Sequence, residues 1–369
     1  MTDSTIHKGG WDGSSQPARA TVFEKITLDY LPPRPDWWLV RPDEITTIVR
    51  GAARGVVKKI ATTPLGYPVW TLTYGGQPPA PGTATWVSAS ASQNWKAYKT
   101  GDDEMQTVVI ACGIHGAEPE AVIGSLNLIS LLETGLDLRG KPRQGLVKLA
   151  ESYRLIILPC VNMDGRSVSP DHLNGVTPHD FRRVSQGWRK DGSLIGYPGC
   201  KEYAPLHRED VAHFGGYPNS DGYNIMHDCE PSGIRTAEAA ALLRVIADEQ
   251  ADLLLNCHSH EFPPMLIGAS AITYPAHRQR ISDYRRRVFD ALQAAGLRPK
   301  PVEERKPGTA LNIDTAAMMA SGALTATFEQ PAVAGWSFDD VVDTFYTFVE
   351  TFLEWGIKEP FAQRDKLAD

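Results

Sequence analysis

The residues able to do chemistry in this chain gather where apolar runs end. One run leaves into Gly113-Ile114-His115-Gly116-Ala117-Glu118, a second into Asn162-Met163-Asp164-Gly165-Arg166, a third into His258-Ser259-His260, and a fourth contains Glu329. His115 and Glu118 lie three apart where a strand-loop passes into a helix, so one turn can aim both side chains at a single ion. At such a helix start the positive end of the helix dipole favours an ionised, ligating Glu118. A catalytic zinc takes three protein ligands and leaves one position for water. Two histidines and a carboxylate meet that demand, and His258 would supply the third ligand from a later strand at the same edge. An HxxE pair alone recurs by chance, and a lone histidine is more often a hydrogen-bonded core residue. The joint pattern carries the assignment. Glu329 is then the spare carboxylate, near the ion but not on it, that could remove a proton from water and return it to a leaving group.

These side chains can meet only if the chain brings four distant segments to one place. The runs at 107–113, 153–162, 252–260 and 322–330 read as buried strands, short and rich in Val, Ile and Leu. Helical patterns separate them: 121–135 with Pro119 ahead and Gly135 at its end, 235–249, 278–296, and a last amphipathic segment at 338–357. Strands alternating with helices predict an α/β fold, a doubly wound mixed sheet flanked by helices on both faces. In such sheets ligands collect beyond the carboxyl ends of the strands, which is where the ionisable residues stand. Upstream, 43–55 has helical spacing, and 57–63 and 69–75 read as paired strands around a turn at Leu65 to Pro68. Residues 1–18 are polar and aperiodic and are expected to form a flexible arm, with 19–369 as one catalytic domain. The stretch from 163 to 232 is long and irregular, a type of segment that usually carries binding function.

With 369 residues, 42% hydrophobic and 22% charged, the composition excludes collagen-like, coiled-coil and wholly disordered chains. A net charge of −7 opposes nucleic acid and anionic membranes as partners. The arginine-rich stretch from Arg278 to Arg287 reads as a solvated helix face. No apolar run approaches the ~18 residues of a membrane span, and the polar start lacks the apolar stretch of a secretory signal, so a cytoplasmic location is expected. Five cysteines without a CxxC pair suit reduced, mostly buried thiols.

From about residue 43 to 356 the sequence resembles the zinc metallocarboxypeptidases. His115-Gly-Ala-Glu118 matches the family's HxxE, and Asn162-Met163-Asp164-Gly165 is a variant of its Asn-Pro-Asp-Gly turn. Trp188-Arg189-Lys190 matches Trp-Arg-Lys, His258-Ser259 the second metal histidine, and Phe328-Glu329 the catalytic glutamate. The resemblance implies a Zn2+ cofactor, hydrolysis of an amide bond with Glu329 as general base, and Arg189 as the cation that stabilises the oxyanion. It also implies a small peptide or N-acyl amino acid type of substrate.

Three departures separate reaction from substrate. The family holds the substrate carboxylate with an adjacent Asn-Arg pair, whereas here Asn224 is followed by Ile225. Asn224 and Tyr223 of that stretch, with Arg166 and His260, are the expected substrate-binding residues, and Arg235 is a further cation in reach. The family tyrosine ahead of the catalytic glutamate has no counterpart between Arg285 and Glu329, and His260 stands where many members have an aromatic residue. The resemblance therefore leaves room for a deacylase or amidase of the same fold, or a zinc-stabilised binding module. Two other chemistries fit less of the chain. An HxH pair, His258 and His260, would suit an amidohydrolase-type barrel but leaves His115 and Glu118 unused, and a serine hydrolase lacks its GxSxG elbow.

Overall fold

The four apolar runs form the parallel centre of a seven-stranded sheet in a computed structural model of the protein. It describes residues 21–77, 80–100, 105–201, 209–230, 233–303, 311–332 and 335–361. The expected arm at 1–18 lies outside the described residues. The strands are β1 (Val56–Thr62), β2 (Pro68–Tyr74), β3 (Thr107–Cys112), β4 (Arg154–Leu158), β5 (Leu253–His260), β6 (Met265–Leu266) and β7 (Leu324–Pro331). Their order is β1-β2-β4-β3-β5-β7-β6. Strands β4, β3, β5 and β7 run parallel, and β1, β2 and β6 add antiparallel pairs at the edges. The mixed sheet expected from the alternation is present, with its parallel strands sharing one carboxyl edge.

Both faces of that centre are covered, which is why the strands read as continuous apolar runs. Helices α1 (Pro119–Thr134), α3 (Pro275–Ala294) and α5 (Phe338–Lys358) pack on one face, and α2 (Ala237–Asp248) and α4 (Ile313–Ser321) on the other. Strand alternation sorts the side chains between them. Leu253, Leu255 and Cys257 meet the first layer, and Leu254 faces the second with Val109, Ala111 and Ile156. On the first face Phe328 stacks on Phe348 and Tyr284 on Phe352, each at 4.1 Å between ring centroids. Truncating such a fully buried ring costs about 3–5 kcal/mol.

The helix boundaries follow local chemistry. Thr236 accepts from the Ala239 amide to start α2, Ser337 and Asp340 form a capping box on α5, and Gly135 at φ +81° closes α1. Helix α4, which sequence periodicity did not reveal, starts where Asn312 accepts from the Thr315 amide. Among the described residues no helix is long and apolar enough to cross a membrane.

Three of the five arginines of α3, Arg280, Arg285 and Arg287, correct the expectation of a solvated face, while Arg286 is exposed as expected. Arg280, 8% exposed, donates to the carbonyls of Glu359 and Phe361. Arg285 reaches the carbonyls of Leu266 and Glu303, and Arg287 lies 3.8 Å from the Trp355 ring centroid. A guanidinium has five donors and so satisfies carbonyls left open at element ends. These side chains tie α3 to the end of α5 and to edge strand β6.

Candidate metal centre

Strands β3 and β5 are neighbours whose last paired residues are Cys112 and Cys257. The chain leaving β3 turns through Gly113, at φ +59°, where a Cβ would lie 2.9 Å from the Cys160 sulfur. Gly116 has no room for a side chain either, since a Cβ there would lie 2.2 Å from the Arg166 amide nitrogen. These two glycines press the His115–Glu118 loop against the Asn162–Arg166 turn. Glu118 stands at the N-cap of α1 and His258 one residue beyond the paired end of β3, so the three expected ligands, two from the helix start and one from the strand, share one corner.

There one ligand atom each from His115, Glu118 and His258 lies within 4.8 Å of the others, and all three residues are buried. His115 Nδ1 is 3.0 Å from Glu118 Oε1, and His258 Nδ1 is 2.9 Å from Oε2. Donors on a tetrahedral zinc with bonds near 2.1 Å stand ~3.4 Å apart, so a small expansion of this cluster accommodates the ion.

Asn224 decides which imidazole nitrogen is available. Its Nδ2 donates to the Cys200 carbonyl at 3.1 Å and its Oδ1 accepts from the Met226 amide at 3.2 Å, which fixes the amide orientation. The same Oδ1 is 3.2 Å from His115 Nε2, so Nε2 carries the proton. In the neutral ring Nδ1 then presents a lone pair to a carboxylate oxygen. Two acceptors at 3.0 Å require a cation between them, a proton or a metal ion, and the donor set therefore fits zinc. Electrostatics agree. Burial would push the Glu118 carboxyl up, but His115 and His258 overrule it and hold it well below the usual carboxylate range. Burial likewise opposes charge on His258, and Glu118 more than offsets that, raising its pKa.

Glu329 is the register partner of His258 on the adjacent parallel strand, so both side chains leave the sheet on the same face. Its Oε2 is buried and has no hydrogen-bond partner among the described residues. Two residues along that face of β5, His260 accepts from the Phe262 amide on Nδ1 and has a buried, unpartnered Nε2. Asn256 lies behind His258 on the same face, and it and Thr327 both donate to Asp314 of α4.

The expected substrate-facing residues fare differently. Asn224 is turned to His115 rather than to open space. Arg166 is corrected: it is 2% exposed and donates to the Pro170 carbonyl, so its guanidinium is sealed under the ligand loop instead of lining a cleft. Tyr223 lies under Arg235, at 5.9 Å from guanidinium carbon to ring centroid. Ile225 is fully buried in the apolar layer with Leu242 and Ile313. Arg189 is half-buried on a two-residue ribbon, Trp188–Arg189 against Val211–His213, and no described residue forms an ion pair with it.

Two residues of the centre were missed at the sequence level. Tyr217 stacks on His115, with ring centroids 3.9 Å apart and planes 15° from parallel. His227 is buried nearby, and burial, then Lys201, His115 and His258, push its imidazole down to about 3, which keeps it neutral. The run Gly215-Gly216-Tyr217-Pro218 was the available signal for the first, a ring carried by two glycines that allow close backbone approach.

The sequence model of the zinc carboxypeptidases matches residues 54–294. Among solved structures, a metallo-carboxypeptidase from Burkholderia cenocepacia is 15% identical at a TM-score of 0.52, covering 84% of this chain and 67% of its own. A metallo-carboxypeptidase from Pseudomonas aeruginosa, in complex with (2-guanidinoethylmercapto)succinic acid, is 17% identical at 0.52, covering 85% and 67%. The chain thus spans about two thirds of the length of each. At these identities the likeness is one of fold. No curated protein matches the chain.

Proposed function

This chain belongs to the zinc carboxypeptidase family, and from that premise we propose that it is a zinc-dependent hydrolase cleaving an amide bond in a small peptide or N-acyl amino acid. The observation that carries the proposal is the convergence of His115, Glu118 and His258 beside Glu329, a carboxylate with an uncommitted buried oxygen on the next strand. His115, Glu118 and His258 would hold the ion. Zinc, when bound, supplies a Lewis acid that polarises a carbonyl and brings the pKa of water to about 7. Glu329 takes a proton from the attacking water as its oxygen bonds to the carbonyl carbon. The same carboxyl then gives that proton to the amine nitrogen as the carbon–nitrogen bond breaks. Arg189, unpaired among the described residues, is assigned to the oxygen that gains negative charge, a role worth about 10²–10³ in rate. Asn224 acts through His115, by fixing its tautomer. His260 offers its unpartnered Nε2 to substrate.

Ile225 favours a second reading of the substrate. A buried aliphatic residue at the family's arginine position removes the bidentate guanidinium that suits a terminal carboxylate. That supports a deacylase or amidase of the same fold. Five buried free thiols support a reducing compartment, the cytoplasm.

The test is hydrolysis by the zinc-loaded protein of matched peptides with free and amidated C-termini, alongside N-acyl amino acids. Activity lost on chelation and restored by zinc is expected, and activity that survives chelation overturns the proposal. Preference for the free terminus would assign the clamp to a cation other than residue 225. Indifference would support the amidase reading.

A further inference from the structure

Tyr217 has a place in the metal centre that neither the motifs nor the family pattern assigns. Its ring lies almost flat on the His115 imidazole, at 3.9 Å and 15°. The backbone beneath it is fixed at several points. Its amide donates to the Ser185 carbonyl at 2.9 Å, and its carbonyl accepts from Asn162 Nδ2 at 2.9 Å. The Gly216 amide donates to Val184, and the Gly216 carbonyl accepts from the Ala117 amide at 3.2 Å, inside the ligand loop itself. A Cβ on Gly216 would lie 2.3 Å from Ser169 Oγ and 2.7 Å from Ala117, so the approach requires glycine. The ring and the His115–Glu118 loop therefore move together.

We propose that Tyr217 is a positioning residue of the metal centre: its ring sets the plane of the His115 imidazole. Asn224 restrains His115 at one atom, Nε2, by a hydrogen bond that still allows rotation about the line joining them. A flat aromatic contact restrains that remaining freedom, because turning the imidazole would break the stack. The hydroxyl has no hydrogen-bond partner among the described residues, and Tyr217 is only half-buried. The inference rests on the zinc-centre reading but not on the substrate assigned to it.

The experiment compares Tyr217→Phe, Tyr217→Leu and Tyr217→Met in the full chain, with zinc affinity measured by competition against a chelating indicator and the visible spectrum recorded after cobalt substitution. Phe keeps the stack, so its zinc Kd should stay at the wild-type value. Leu and Met lose it, and either should weaken zinc by about tenfold or more, the scale of an outer contact to a ligand, with an altered cobalt spectrum. Two aliphatic variants are used so that, if one fails to fold, the other still decides the ring's role. Wild-type zinc affinity and spectrum in a folded Leu or Met variant overturn that role. A wild-type holoenzyme that hydrolyses nothing would remove the functional reading, while the metal affinities would still decide the ring.

Discussion

At the carboxyl ends of β3 and β5, the ligand side chains have partners within 3.2 Å: Glu118 between two imidazoles, His115 between Glu118 and Asn224, and the Ser259 amide on Glu118. Across the segment 223–235 the pattern changes. Ile225 is packed into the core, Tyr223 lies under Arg235, and Asp228 accepts from the amides of Arg235 and Thr236. The first region is built by strand register and helix start, which leave little freedom in where a side chain points. The second is loop: Tyr223 and Asp228 take their contacts close by, while Ile225 is anchored in the apolar layer. The residues proposed for the reaction thus stand in the part of the fold that is hard to change, and those proposed for substrate selection largely in the part that is easier to change.

Removing a ligand should break the first region outright. Glu118→Ala leaves His115 Nδ1 and His258 Nδ1 without their shared oxygen partners, and after dialysis the protein should carry no zinc and hydrolyse nothing. Metal analysis checks it, and stoichiometric zinc in the variant would dissolve the proposed centre. Glu329→Gln should divide the region into its two tasks. The amide keeps the size and the strand register but cannot take a proton, so kcat should fall by about 10²–10⁴ at unchanged zinc content. Retention of most activity would strip Glu329 of its role.

Much of the first region was legible in the sequence because its determinants are local. Four apolar runs gave four strands, Pro119 and Gly135 bracketed a helix, and HxxE fell at the strand-to-helix junction where one turn must join the pair. His258 and Glu329 could be placed at one edge because parallel strands share their direction, although their adjacency in register needed the structure. The second region was not legible, for a physical reason. Asn224 and Tyr217 take their places from contacts with His115, 109 and 102 positions away, in irregular backbone where no periodicity constrains direction, and Arg166, on a short helical turn, donates to a carbonyl 4 positions on. Arg280, Arg285 and Arg287 of α3 failed in the same way. A charged run on a helix gives no hint that the carbonyls of Glu359 and Phe361 lie within its reach.

The contrast predicts that the clamp cannot be restored by one substitution. Ile225→Arg would place a guanidinium in the apolar layer formed by Ile225, Leu242 and Ile313, and the carboxylate next along α4, Asp314, already accepts from Asn256 and Thr327. An unpaired buried charge should destabilise the fold by about 3 kcal/mol, read as a lower denaturant midpoint, without gain in hydrolysis of free C-termini. A stable variant with improved carboxypeptidase activity would show that this segment is substrate-facing after all.

The smallest effect expected lies at the seam between the two regions. Asn224 belongs to the variable segment by position and to the metal corner by contact, since its Oδ1 serves His115 while its Nδ2 holds the Cys200 carbonyl. Asn224→Leu removes the acceptor that keeps the His115 proton on Nε2, so the ring can take the other tautomer and offer Nδ1–H where a lone pair is needed. Zinc affinity should weaken by about 10–100-fold, the range for lost outer contacts to metal ligands. Asn224→Asp keeps an acceptor facing Nε2 and should retain most of the affinity, while placing a second acceptor against Cys200. If Leu and Asp weaken zinc equally, Asn224 acts by holding the 200s segment and belongs with the loops. If only Leu does, the corner extends one residue into the loop, and the boundary between chemistry and selection runs between Asn224 and Ile225.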